Sequence, residues 1–362
     1  MLTHNLGNIQ YFVISNQSIM ARLLFLKLAG LLLVSFFLGS CTDHQSNSSF
    51  ALSYPDYFPD PIYQSTRNPI TKEGFELGRA LFHDPILSID STISCESCHA
   101  QGHAFADHNV ALSEGIAGRR CVRNSPAIFN AAWQPHFMWD GGINHIEVMP
   151  VAPITNDVEM GETMSNVVKK LNRNQSYKQR FKQVFNVDVI DDQKLLFALA
   201  QYMSMLVSAT SKYDQVRQNK AIFTDIEQQG YEVFVQKCSS CHKEPLFTDY
   251  TFRNTGLPAK PDETGRHHIT LEAEDMHKFR MPSLRNVALT YPYMHDGRFK
   301  TLREVLNHYS ENMQYYSNLD PVFKLDNGKV GIPLSEDEKT ALESFLRTLS
   351  DYSFTSNPIF SE

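Results

Sequence analysis

The stretch "STISCESCHA" (residues 91–100) sets Cys95, Cys98 and His99 within five positions, and "QKCSSCHKEP" (236–245) repeats the spacing with Cys238, Cys241 and His242. On a helical turn, residues at i and i+3 share a face. Two thiols so placed reach both vinyl groups of one porphyrin, and a histidine one position further on points its imidazole at the iron. Cys-x-x-Cys-His is therefore the attachment pattern of c-type haem. A zinc site needs a second ligand pair near each first pair, and a thioredoxin-like site needs a preceding βαβ pattern; the sequence has neither. Disulfides explain the cysteines but not the histidine that follows each pair. Two covalently bound haems are expected.

Outward from each motif the pattern is helical. "GFELGRALFHDPILS" leads into the first through Phe75, Leu77, Leu81 and Phe82, and "DIEQQGYEVFVQKCSSCH" into the second through Tyr231, Val233, Phe234 and Val235. Near the C-terminus "LSEDEKTALESFLRTL" opens with a capping box, Ser335 to Glu338, and repeats Leu342, Phe345, Leu346 and Leu349 at helical spacing. Helical patterns also run over about 73–84, 126–133, 162–172 and 191–208, the last apolar nearly all round. Strand patterns are sparse. The fold class is mostly α with long loops, in which each haem supplies part of a core.

The chain has 362 residues and a formal net charge of −7, which argues against a nucleic-acid partner. "ARLLFLKLAGLLLVSFFLGSC" carries a positive start (Arg22, Lys27), an apolar run and small residues before Cys41, the layout of an export signal. Met20 stands just ahead of it and is the expected true start. Leu38-Gly39-Ser40-Cys41 resembles a bacterial lipobox, which implies a lipid-anchored Cys41 and a cell-envelope or periplasmic location. The expected organisation is a signal segment over 1–41, a linker over 42–70, an N-terminal haem domain over 71–222, a C-terminal haem domain over 223–350 and a tail over 351–362. Of six cysteines, only Cys121 is left without a role.

An ordered set of motifs spans about residues 55–350: "LGRALFHDPILS", the first haem motif, "RNSPAIFNA", "MWDGG", "PITNDVEMG", the second haem motif, "MPSLRNVALTYPYMHDGRFKTL" and the terminal helix. In this the sequence resembles the bacterial di-haem cytochrome c peroxidase and MauG family. The resemblance implies two cytochrome c-like domains, the N-terminal haem meeting peroxide and the C-terminal haem passing electrons. His99 and His242 are then iron ligands. Trp139 of "MWDGG" is expected between the haems as an electron relay, and Glu159 of "VEMG" as the acid–base that moves the peroxide proton. A calcium ion is expected at Asn124, Thr290 and Pro292, the last two through backbone carbonyls, which suit a hard cation.

Three positions set this sequence apart within the resemblance. Ten residues before Glu159, where many members carry a glutamine, stands Met149, whose thioether is a weak acceptor and no donor. Eight residues before Asn124, where studied peroxidases carry a histidine that blocks the resting iron, stands Ile116. The first haem is therefore expected to be five-coordinate and open; His103 and His108 are nearby and could substitute as ligands, but loop or packing roles are expected for them. Eight residues after Thr301, where the peroxidases carry a methionine ligand, stands Tyr309, as in MauG. Thr301 and Glu304 form a capping box, so Tyr309 falls on the third turn of that helix; His308, Met294 and Met313 are the alternative ligands. Tyrosinate stabilises ferric iron, whereas methionine raises the potential.

The function expected from this set is reduction of hydrogen peroxide to water with electrons from a small cytochrome or other soluble donor. The alternatives are a MauG-like oxidase acting on a protein or organic substrate, and a non-enzymatic di-haem electron carrier. Relatives often dimerise, so a homodimer is in view.

Overall fold

The computed structural model describes residues 50–362 apart from Ser65 and His108. The signal segment, Cys41 and His108 lie outside the described residues. In chain order the helices are α1 (Lys72–His83), α2 (Val151–Thr155), α3 (Met164–Arg173), α4 (Gln175–Phe185), α5 (Asp192–Ser204), α6 (Lys212–Arg217), α7 (Asp225–Lys237), α8 (His267–Thr270), α9 (Leu302–Asn307), α10 (Glu336–Arg347) and α11 (Tyr352–Thr355). Strands β1 (Phe252–Arg253) and β2 (Phe279–Arg280) form one short antiparallel pair with Phe252 opposite Arg280. The mostly α class is the one observed. No helix among the described residues is long and apolar enough to cross a membrane.

Two helix crossings carry the two haem motifs, and both depend on a glycine. On α1, a Cβ at Gly78 would lie 2.0 Å from the Ala198 carbonyl oxygen of α5. On α7, a Cβ at Gly230 would lie 2.0 Å from the Ala341 carbonyl oxygen of α10. Backbones meet this closely only where no side chain intervenes. α7 runs straight into its motif, with Cys238 as its cap and the Cys238 amide donating to the Phe234 carbonyl. After α1 the chain loops out and returns, and the Cys95 amide donates to the Phe82 carbonyl at 3.1 Å. Each motif is thereby hung on the end of a helix whose other face is fixed.

The apolar cores follow the same division. One cluster gathers Phe75, Leu81, Phe82, Phe105, Phe181, Leu199 and Tyr202; another gathers Tyr213, Phe234, Phe247, Leu342 and Phe345. The C-terminal residues after α10 return to the first cluster, where Phe354 and Phe360 are buried. The linker also packs: Trp133 donates its indole N–H to the Pro59 carbonyl at 2.7 Å and meets Tyr54 and Phe58 edge-on.

One helical expectation fails. Residues 126–133 form a loop ending in a single 3-10 turn, Ala131–Trp133. Asn130 takes a φ of 52°, and its amide side chain exchanges two hydrogen bonds with the Ser208 backbone at 2.9 and 3.1 Å. That side-chain pairing replaces the helical bonds on which the apolar spacing relied.

A buried ion pair ties the segments together. Arg285 and Asp214 are both fully buried and joined by two bonds of 2.8 and 2.9 Å, with the Tyr57 hydroxyl donating to Asp214 at 2.7 Å. Burial alone would raise the Asp214 pKa, but Arg285, Ser211 and Tyr57 together hold it below the ordinary carboxylate range. Asp214→Asn leaves the guanidinium charge buried and uncompensated, so urea unfolding is expected to show a loss of about 3–5 kcal/mol. Because the folded-state pKa is depressed, the pair's contribution is complete above the ordinary aspartate value near ~3.9 and is lost as pH falls through the folded value.

Candidate active site

Both motifs form the single helical turn that the spacing implies. The His99 amide donates to the Cys95 carbonyl at 3.0 Å and the His242 amide to the Cys238 carbonyl at 3.0 Å. The histidines are oriented alike. His99 Nδ1 lies 3.0 Å from the Phe105 carbonyl oxygen, and His242 Nδ1 lies 3.2 Å from that of Phe247. A proton on Nδ1 given to a carbonyl leaves the Nε2 lone pair free for a metal. Burial lowers the pKa of His99 and pushes that of His242 down to about 4, so both rings are neutral near pH 7. Phe105 and Phe247, each fully buried with a left-handed φ, are the orienting partners that sequence reasoning missed. Their only sequence signal is a shared Phe five or six residues after each histidine.

The four motif thiols are free, and burial raises them: Cys95 and Cys238 to about 12, Cys98 to about 11, and Cys241 upward. Two free thiols followed by an imidazole with its Nε2 available, on one turn, fit thioether attachment of a haem. Among the described residues no group of three or more His, Cys, Asp or Glu is arranged to hold a metal ion. Space is available at the second motif. A cavity of about 1300 Å³, part of it open to solvent, has His242, Tyr309, Trp139, Asn124, Thr290 and Pro292 on its walls. A second, of about 710 Å³, is walled by Cys238, Cys241, His242 and Tyr309 with Phe234, Leu342 and Leu346. A flat apolar group tied to the thiols fits these walls.

Tyr309 shares both cavities with His242. It sits on a π-helical turn, His308–Asn312, that continues α9. Such turns re-aim side chains at functional sites. Burial raises its pKa, with the Cys241 and Cys238 thiols adding to the effect. Its hydroxyl makes no hydrogen bond among the described residues. Of the alternatives, His308 turns its Nε2 to the Thr255 carbonyl at 2.9 Å, and Met313 is buried against Leu319 and Phe323. Met294 lines the larger cavity but not the smaller one.

The first motif has Glu159 near it. Glu159 follows α2 in a loop whose Asn156 side chain accepts from the Val158 amide and donates to Glu159 Oε1 at 2.7 Å. The Glu159 charge acts on the Cys98 and Cys121 thiols, so the carboxyl lies within electrostatic reach of the attachment turn. Burial raises the Glu159 pKa against the Asn156 hydrogen bond. The buried Ile116 donates its amide to the Glu159 carbonyl at 2.8 Å, which ties it to the Glu159 loop. Met149 packs against the first apolar cluster. His103 ends the short 3-10 turn Gln101–His103 after the motif. Cys121 lies half-buried near Glu159 and Cys98, a placement no motif foretold.

Trp139 joins the region between the motifs. Its indole N–H donates to the Asn124 carbonyl at 2.8 Å, and its own carbonyl accepts from the Arg280 amide at 2.8 Å. The cavity it lines also reaches Ala106, which bridges Ala100 beside the first motif. Asn124 donates its side-chain amide to the Val110 and Ala111 carbonyls at 3.3 and 3.1 Å, and its side-chain oxygen has no hydrogen-bond partner among the described residues.

The di-haem cytochrome c peroxidase family model matches residues 72–221. The methylamine utilization protein MauG of Methylophilus methylotrophus is 32% identical, over 82% of this chain and 86% of its own length. The cytochrome c551 peroxidase of Nitrosomonas europaea is 33% identical, over 76% of this chain and 79% of its own. A crystal structure of a MauG-like protein associated with microbial copper homeostasis superposes with a TM-score of 0.78 at 32% identity, covering 85% of this chain and 98% of that one.

Proposed function

This chain belongs to the di-haem cytochrome c peroxidase and MauG family, and from that premise we propose that it reduces hydrogen peroxide to water at an N-terminal haem held by Cys95, Cys98 and His99. The second haem is held by Cys238, Cys241, His242 and Tyr309. When bound, the haems supply the one-electron redox chemistry that delivers two electrons from a cytochrome or other soluble donor to each peroxide. The observation that carries the reading is Glu159: a half-buried carboxyl whose charge reaches the first attachment turn, with its pKa raised. Its Oε1 is engaged by Asn156, so Oε2 is the atom that takes the proton from one peroxide oxygen and returns it to the other, which leaves as water. Ile116 offers no ligand at the blocking position, so the site is open without prior activation. Trp139, hydrogen-bonded to Asn124, is the relay between the two halves. Asn124 with Thr290 and Pro292, all lining the same cavity, is the set proposed to hold a calcium ion. Two cytochrome c-like domains, a periplasmic location with Cys41 as lipid anchor, and a homodimer complete the proposal.

A MauG-like oxidation of a protein or organic substrate is the second reading, supported by Tyr309 sharing both cavities with His242. The test is to titrate the haem-loaded ferric protein with hydrogen peroxide in the presence of reduced cytochrome c. Two donor equivalents oxidised per peroxide, in repeated turnover, is the peroxidase outcome. A long-lived oxidised species with little donor oxidation is the MauG-like one. No reaction with peroxide leaves only an electron carrier.

A further inference from the structure

Arg280 on β2 is buried to 4% exposure, yet it lacks the counter-charge that buried Arg285 has in Asp214. Its amide donates to the Trp139 carbonyl, and its Nε donates to the Met138 carbonyl at 3.3 Å. Its two terminal nitrogens have no hydrogen-bond or ion-pair partner among the described residues. The side chain lines the larger cavity together with Trp139, Tyr250 and His242. The titratable groups that sense its charge are Tyr250 and His136, neither of them an anion near pH 7. The carboxylates of the neighbouring segments are already engaged: Asp140 by Arg123, and Asp249 and Asp320 by Arg253. A guanidinium does not give up its proton in a protein, and a buried charge without a partner is strongly unfavourable. Among the described residues nothing supplies the missing negative charge.

We infer that Arg280 is the counter-ion of a carboxylate that enters this cavity with its ligand, the haem attached at Cys238 and Cys241, whose acid side chains have that chemistry. The inference rests on the haem reading of the second motif. A free organic acid shares the chemistry and is the other source to be separated.

The experiment is a spectroelectrochemical titration of the C-terminal haem in the wild type, Arg280→Met and Arg280→Lys holoproteins, each with and without added acetate. Loss of the guanidinium would leave the ligand carboxylate uncompensated in the cavity that His242 lines, and would favour the ferric state. The expected result for Arg280→Met is a shift of the reduction equilibrium toward ferric of at least tenfold, which is about 59 mV for a one-electron couple. The lysine variant should remain close to wild type, and acetate should change nothing. A wild-type equilibrium that follows acetate, with the response lost in Arg280→Met, overturns the haem side chain as the source. A haem-loaded Arg280→Met within twofold of wild type overturns the assignment altogether. Arg280→Gln, which is neutral but retains N–H groups, carries the same test where the methionine variant does not fold. Absence of haem mass at Cys238 and Cys241 instead removes the underlying reading, so the two failures are distinguishable.

Discussion

Glu159→Gln is expected to lower peroxide reduction by about 10²–10⁴-fold, the range that a positioned acid–base contributes, with both haems still attached. Glutamine keeps the size of the side chain and its contact with Asn156 but cannot take a proton from peroxide. The loss should fall on the peroxide-dependent step, leaving reduction of the second haem by the donor unchanged. The pH profile is a separate check. Burial raises the Glu159 pKa above the ordinary glutamate value, and the carboxylate is the form that accepts the peroxide proton. The acidic limb of peroxide reactivity should therefore lie above the usual glutamate range near ~4.3. It should vanish in the variant. Stopped-flow mixing of ferric protein with peroxide across pH measures both.

Tyr309→Met is expected to raise the reduction potential of the C-terminal haem by a large part of the roughly 0.8 V that axial ligands span. An anionic oxygen on the iron stabilises the ferric state, and a neutral thioether stabilises the ferrous one. The phenol stands on a π-helical turn, shares both cavities with His242, and has no hydrogen-bond partner among the described residues. The variant should also accept electrons from a high-potential cytochrome more readily, raising turnover where the native centre is limiting. Tyr309→Phe, which cannot ligate, should produce a high-spin or rearranged second haem. Potentiometry with visible and near-infrared spectra reads out all three proteins. An unchanged potential in Tyr309→Met would transfer the ligand role to Met294, the alternative that shares the larger cavity.

Much of this was legible before any coordinates, because the chemistry is local. Cys-x-x-Cys-His fits one helical turn, and the two capping boxes, Thr301 with Glu304 and Ser335 with Glu338, form as their spacing dictates. What stayed hidden depends on distant segments. Nothing near Gly78 or Gly230 announces that each meets the backbone of a helix more than a hundred residues away. The helical reading of 126–133 failed because Asn130 spends its side chain on Ser208, a partner invisible in the local pattern. Phe105 and Phe247 are buried core residues whose carbonyls orient the histidines, a role the local sequence does not signal. Arg280 was invisible for another reason. A solvated arginine and a buried one without a counter-charge read the same in sequence, and only the surrounding segments tell them apart.

The central claim is a division of labour: one iron with an open face above Glu159, the other closed by Tyr309 opposite His242. Electron paramagnetic resonance of the ferric holoprotein, as isolated and without added ligand, tests it directly. The account predicts one high-spin centre, lost when Cys95 and Cys98 are replaced by alanine, and one low-spin centre that survives that change. Two low-spin centres of equal intensity would contradict it, since peroxide would then have no iron to reach.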